Sequence, residues 1–264
     1  MNTAPYALLR VVGSALVTVA VILGAWWGVV AALALDPFSA KTPADVWRYL
    51  LIDADAVSHR GALASALGAT LYDAALGYIA GLFSGCALAT MTSLSRTAEH
   101  AILPAAMVLQ SIPLAAISPI IALVFGEGTF AVAAVAAIVV FFPTFVNVVV
   151  GLGSASKEAT ELMRAYGATP WQTFWKVRIP SAVPALLTSA RIAVPGALIG
   201  VLVAEWLVSG NGVGQFMIVS QNTLDYTALW SAAAVLTLTS ALLYSAAGMV
   251  EGAVLAKFAT RYAP

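Results

Sequence analysis

Charge is what this sequence has least of. Only 9% of its 264 residues are Asp, Glu, Lys or Arg, against roughly a quarter in a soluble globular domain. The twelve basic residues cancel the twelve acidic ones, so there is no basic surplus for nucleic acid and no acidic tail. Cysteine is nearly absent: Cys86 stands alone inside an apolar run, which excludes an internal disulfide and a cysteine-built metal site. Histidine is equally scarce. His59 and His100 fall in or beside polar segments expected on opposite sides of a membrane, so they cannot share a metal, and the apolar runs hold no histidine to activate a buried serine. The phosphate-binding pattern Gly-x-x-x-x-Gly-Lys-Ser/Thr is missing too; the nearest run, Gly153-Ser-Ala-Ser-Lys157, has the wrong spacing. These absences describe a chain that is not an enzyme, binds no cofactor of its own and has no ATPase site.

What is present is apolar. Hydrophobic residues make up 61% of the chain and the mean hydropathy is +0.95. A helix needs roughly 20 apolar residues to cross about 30 Å of hydrocarbon, and six stretches qualify: 7–35, 63–94, 101–125, 130–152, 182–207 and 228–254. The expected fold is therefore all-α, a polytopic membrane helix bundle of about six transmembrane helices in a single domain over 1–264. The first stretch is too long for a signal-peptide core and is read as a retained span. An external segment follows at 36–62, with Pro37, Pro43 and four aspartates, and a short surface helix is expected around Asp45 to Leu51. The core spans occupy 63–257.

Basic residues orient the bundle. With the N-terminus inside, the cytoplasmic side collects Arg10, Arg96, Lys157, Arg164, Lys176, Arg178, Lys257 and Arg261, while the outside has Lys41, Arg48 and Arg60. The positive-inside rule then puts both termini in the cytoplasm. Trp206 and Trp230 fall near the outer interface on this topology. The longest cytoplasmic segment, 153–180, reads as two short amphipathic helices broken at Gly167, with Thr169 as an N-cap before Pro170. Exposed Trp171 and Trp175 make it either a docking surface for another protein or an amphipathic segment lying on the inner leaflet.

That segment reads Glu161-Leu-Met-Arg-Ala-Tyr-Gly167, nine residues, then Val177-Arg178-Ile179-Pro180. It resembles the EAA signature of bacterial ABC importer permeases of type I, with the glycine and proline at matching offsets and Leu162 and Met163 in place of the two alanines. Gln110-Ser-Ile-Pro113, Ser118-Pro119, Phe141-Phe-Pro143-Thr-Phe-Val-Asn147 and Ala204-Glu205 through Gly212-Val-Gly214 resemble the branch that imports nitrate, aliphatic sulfonates, taurine and pyrimidine vitamin precursors. The resemblance implies a permease of the bacterial plasma (inner) membrane that moves a small polar or anionic solute inward by alternating access. It also implies the partners: a second, identical permease subunit, two cytoplasmic ATPases that bind ATP and magnesium, an external substrate-binding protein and membrane lipid. It assigns Glu161 and Ala165 to a coupling helix, Gly167 to the turn that ends it, and Pro180 to the exit into the fifth span.

Within the spans, Asp73, Gly77, Gly81 and Gly85 recur every four residues, and small residues at that spacing let helices approach closely in lipid. Asp73 and Arg191 lie at broadly similar depths, so they pair, line the translocation path or handle protons. Sulfonate-type members commonly carry a basic residue near the position of Asp73. Glu205 is close to the outer end of its span, where it either reaches interfacial water or has a functional part, forming the outer gate or receiving the binding protein. Pro113, Pro119 and Pro143 are expected to kink their helices, and Gln110, Ser111, Ser118 and Asn147 are the further path-lining candidates. A glycine-rich loop, Ser209 to Gly214, lies outside and follows no strand, which excludes a phosphate cradle. The rival reading is a secondary transporter driven by an ion gradient, for which inverted repeats and interrupted helices near the midplane are expected; neither is evident in the sequence.

Overall fold

Helix is the only regular structure among the described residues of the computed structural model, which are 4–94, 96–208 and 210–262. In hydrocarbon each N–H and C=O needs a partner within its own segment, and a long helix supplies one. Ser209 and the side chains of Arg10, Arg96, His100 and Arg261 lie outside the described residues. The helices are α1 (Ala4–Ala32), α2 (Pro43–Leu51), α3 (Ala56–Ser93), α4 (Arg96–Leu109), α5 (Leu114–Phe125), α6 (Thr129–Gly153), α7 (Lys157–Ala165), α8 (Pro170–Thr173), α9 (Ile179–Val208), α10 (Gly212–Asn222) and α11 (Tyr226–Tyr262). Four described helical stretches are long and apolar enough to span a membrane: Ala56–Ser93, Thr129–Gly153, Pro170–Val208 and Tyr226–Phe258. The pair Ala101–Leu109 and Leu114–Phe125 makes a fifth if counted as one bent span, and the 29-residue α1 is compatible with a sixth.

The third expected span is broken where a kink was expected. α4 and α5 meet at 97° across Gln110 to Pro113. Pro113 has no N–H to give and disfavours helical geometry at Ile112 before it, so the ladder ends. The Ser111 hydroxyl donates to the Val108 carbonyl at 2.7 Å and satisfies one of the freed acceptors. Pro119 and Pro143, by contrast, lie inside continuous helices. The stretch after Gly214, given no element from sequence, forms α10.

The chain groups into two compact units. One comprises the chain up to Ala64 together with Met217–Val235. Its segment 36–62 begins α2 with a capping box: the Asp45 N–H donates to the Thr42 hydroxyl, and the Thr42 N–H to the Asp45 carboxylate at 2.9 Å. The Thr42 N–H and, at 2.7 Å, the Thr42 hydroxyl both donate to that carboxylate and hold the Asp45 carboxyl below its ordinary value. Val46 and Tyr49 form the buried face of the helix, and the Tyr49 ring stacks on His59 at 3.9 Å. Trp26 and Trp230 stack at 5.4 Å and donate their ring N–H groups to the Lys41 and Ser39 carbonyls. Those bonds fix the start of the segment 36–62 to α1 and α11.

The other unit comprises Ser65–Phe216 and the chain from Leu236 onward. At its centre α6 buries Val132, Val135, Ala136, Val140, Thr144 and Phe145. The glycines of α3 pack against it as their spacing predicts. A methyl group on Gly77 would sit 2.5 Å from the Ala136 Cβ, one on Gly81 2.6 Å from the Ala137 carbonyl oxygen, and one on Gly85 3.0 Å from the Phe141 carbonyl oxygen. On α9, a Cβ at Gly200 would stand 3.1 Å from the Cα of the same Ala136. Lipid tails are as apolar as leucine, so little hydrophobic drive exists between spans; close van der Waals approach at small residues holds them together instead.

Candidate functional site

The segment carrying the Glu161 to Pro180 pattern folds from strong local signals. Ser156 caps α7 by accepting the Ala159 N–H at 3.0 Å. The helix ends in a Schellman motif, with the Ala168 N–H on the Met163 carbonyl and the Gly167 N–H on the Arg164 carbonyl, both at 2.9 Å. Gly167 has φ +73, a left-handed conformation that side chains other than glycine adopt at a cost. Thr169 then opens α8 with a capping box to Gln172 and Pro170 at the first position. Glu161 and Ala165 lie exposed on α7, and Leu162, Tyr166, Trp171 and Trp175 present apolar surface nearby.

Here the structure differs from the expected exit. The helix does not stop at Pro180 and restart: α8 passes into a π-helical turn, Phe174–Arg178, and then directly into α9. The Ile179 N–H bonds back to the Phe174 carbonyl, one residue wider than the α-helical pattern. That wider turn comes just before Pro180, whose missing N–H and ring would disrupt a regular ladder. Phe174, 2% exposed, anchors the turn by packing among Phe145, Val148 and Leu152.

At the far end of α9 lies Glu205. Of its two sequence-level readings, interfacial water is excluded, because the residue has no exposed surface. Its carboxylate accepts the Thr70 hydroxyl from α3 and the Gly214 N–H from α10, each at 2.7 Å, while Thr70 accepts the Val213 N–H at 2.8 Å. One acidic side chain thereby ties α3, α9 and the positive N-terminal end of α10 together. Two of the loop's three glycines are required by it. A Cβ on Gly212, whose φ is +92, would collide with the Glu205 carboxylate, and one on Gly214 would lie 2.7 Å from the Glu205 Cβ.

Asp73 and Arg191 are not partners. Arg191 bonds Glu251 of α11 at 3.2 Å, stacks its guanidinium 4.4 Å over the Tyr244 ring and lies against Gly248; Thr188 donates to the same carboxylate at 2.6 Å. Glu251 carries no signal in the sequence beyond its own charge. Asp73, 6% exposed, lines a cavity of about 570 Å³ with Tyr72, Glu127, Thr129 and Asn211. Of the other path candidates, Gln110 and Ser111 stand exposed in the break between α4 and α5. Ser118 is buried and donates to the Leu114 carbonyl of its own helix, and Asn147 is half-buried on α6. None of the four lines the Asp73 cavity.

A family model described as binding-protein-dependent transport system inner membrane component matches residues 62–257. The chain belongs to that family. It is thus a membrane-spanning permease subunit of an ABC importer, and the gradient-driven alternative falls, even though the broken α4–α5 pair is the kind of interruption its sequence-level exclusion relied on lacking. Among curated relatives, this permease is 33% identical to the formylaminopyrimidine transport permease protein of Halalkalibacterium halodurans, over 72% of this chain and 76% of that one. A probable ABC transporter permease protein of Haemophilus influenzae is 31% identical over 66% and 71%. The riboflavin transport system permease protein of Chloroflexus aurantiacus is 33% identical over 59% and 58%. In fold, the permease resembles a chain of an amino acid ABC transporter crystallised with histidines, at a TM-score of 0.61 and 17% identity over 74% of this chain and 95% of that one.

Proposed function

We propose that this permease carries an uncharged or cationic nitrogen heterocycle of the vitamin-precursor class inward across the plasma membrane, with both termini in the cytoplasm, as one of two identical permease subunits. Two separate ATPase subunits bind ATP and magnesium and supply the hydrolysis, and an external binding protein delivers the solute. The observation that carries the substrate reading is the acidic cavity: nearly buried Asp73 and neighbouring Glu127 face it with no basic residue in its lining. Carboxylates with no cation beside them in the lining repel nitrate or a sulfonate but accept hydrogen bonds from the N–H groups of an aminated ring, and the Tyr72 ring in the same wall offers a stacking face. Relatives at 33% identity that bear formylaminopyrimidine and riboflavin in their names point the same way. Arg191, the basic residue expected near this path, is held by Glu251 instead.

Energy enters through the Glu161 to Pro180 element in this proposal. Glu161 and Ala165 sit on the helix that seats in the ATPase, Gly167 sets its end, and Pro180 follows the π turn by which its motion passes into α9. The deciding experiment reconstitutes the permease with its ATPase and binding protein in proteoliposomes and compares ATP-dependent uptake of labelled formylaminopyrimidine, riboflavin, taurine and nitrate. Uptake of a heterocycle alone is expected, falling at least tenfold in Asp73→Asn; uptake of taurine or nitrate in preference would refute the substrate assignment.

A further inference from the structure

A second cavity of about 570 Å³ opens where α3 and α6 end, beneath α7 and α8. Its walls differ sharply from those of the Asp73 cavity. Lys157, Arg164 and Arg178 line it against a single acid, Glu161, while Leu94, Leu152 and Phe174 supply an apolar floor. Among the described residues none of these three cations stands within salt-bridge distance of a carboxylate. Arg178 gives one Nη to the Ser93 carbonyl at 3.2 Å, which fixes the guanidinium at the rim and leaves the rest of its fork for an acceptor. Three cations drawn to one opening at the end of a membrane bundle repel one another, and a bound anion removes that cost.

We propose that this cavity is a binding site for a phosphate group, carried by an anionic phospholipid. Arginine forks match phosphate oxygens in pairs, lysine adds a point charge, and the apolar floor suits the first carbons of the acyl chains. Basic pockets at the ends of membrane helices take lipid headgroups by the same chemistry. Trp171 and Trp175, each more than half exposed beside the opening, are the side chains that favour the headgroup level. A phosphate held by Lys157 and Arg164 of α7 and by Arg178 before α9 bridges the two arms of the segment. The consequence for coupling rests on the docking role proposed above; the binding site itself does not.

The test is native mass spectrometry of the purified permease after exchange into detergent containing phosphatidylglycerol or phosphatidylcholine. Wild type is expected to retain phosphatidylglycerol at least tenfold more tightly than phosphatidylcholine. Lys157→Gln with Arg164→Gln abolishes the preference, Arg178→Lys weakens it, and Arg48→Gln in the other unit leaves it intact. A parallel titration with inorganic phosphate separates the sources: saturable phosphate binding, lost in the double variant, without lipid preference keeps the phosphate site and overturns the lipid. Retention in the double variant equal to wild type, with an unchanged melting temperature, overturns the site altogether. Pull-down of the ATPase subunit, read separately, reports on docking, so either proposal can fail alone.

Discussion

Glu205 is an acid placed where water cannot reach it, and its worth lies in what it accepts. Two donors, the Thr70 hydroxyl and the Gly214 N–H, converge on it, and each donor left unsatisfied in a buried setting costs about 1–3 kcal/mol. Glu205→Ala should therefore lower stability by at least that much, seen as a depressed melting temperature in detergent, and Thr70→Val should do the same because it also strands the Val213 N–H. A second residue-scale outcome concerns Tyr49, outside the spans. Burial, with Asp225 and Asp53 nearby, pushes its phenol up to about 12 from the usual 10.0. Between those values the unfolded chain releases a proton that the folded chain keeps, so the tyrosine's contribution is present below pH 10 and is lost as pH rises. Absorbance titration should show a tyrosine step near pH 12 that Tyr49→Phe removes. The Thr169 cap and the Gly167 turn were legible because their partners lie within five residues. Glu205 was legible as a charge and illegible as a tie, since Thr70 stands 135 positions away; the only local hint was a Gly-x-Gly seven residues downstream.

Elements show the same division. The four-residue spacing of Gly77, Gly81 and Gly85 announced a packing face, and α6 supplies the surface that fits it. Gly81→Leu would drive a side chain into the Ala137 carbonyl and Val140, and is expected to abolish folding, measured as loss of monodisperse protein on size exclusion. Gly68→Ala, on the same helix with open space around it, should be neutral. Hydropathy found the spans but could not tell a kink from a break, because Pro113, Pro119 and Pro143 look alike as letters. What separates them is the backbone around each: helix closes over Pro119 and Pro143, whereas Gln110 to Ile112 leave it before Pro113. The π turn was equally hidden, being a one-residue surplus in the hydrogen-bond ladder that no composition records.

For the whole molecule, family membership turns these parts into an importer subunit, and the expected failure is one of transmission. Gly167→Arg places a branched cation at φ +73, a cost of about 1–2 kcal/mol borne by the turn alone. Transport in proteoliposomes should be lost while the isolated ATPase keeps its activity; Gly167→Asn, which tolerates this backbone, should retain part of it. The unbroken run from Pro170 through the π turn to Val208 has a further consequence. At about 1.5 Å per residue, Trp171 and Glu205 stand about 50 Å apart on a single shaft. A shaft has no preferred direction of signalling. On the docking role proposed above, any coupling between ATPase binding at one end and the Glu205 tie at the other is reciprocal and equal in magnitude. Untying Glu205 with a substitution should thus change how firmly the distant helix grips its motor.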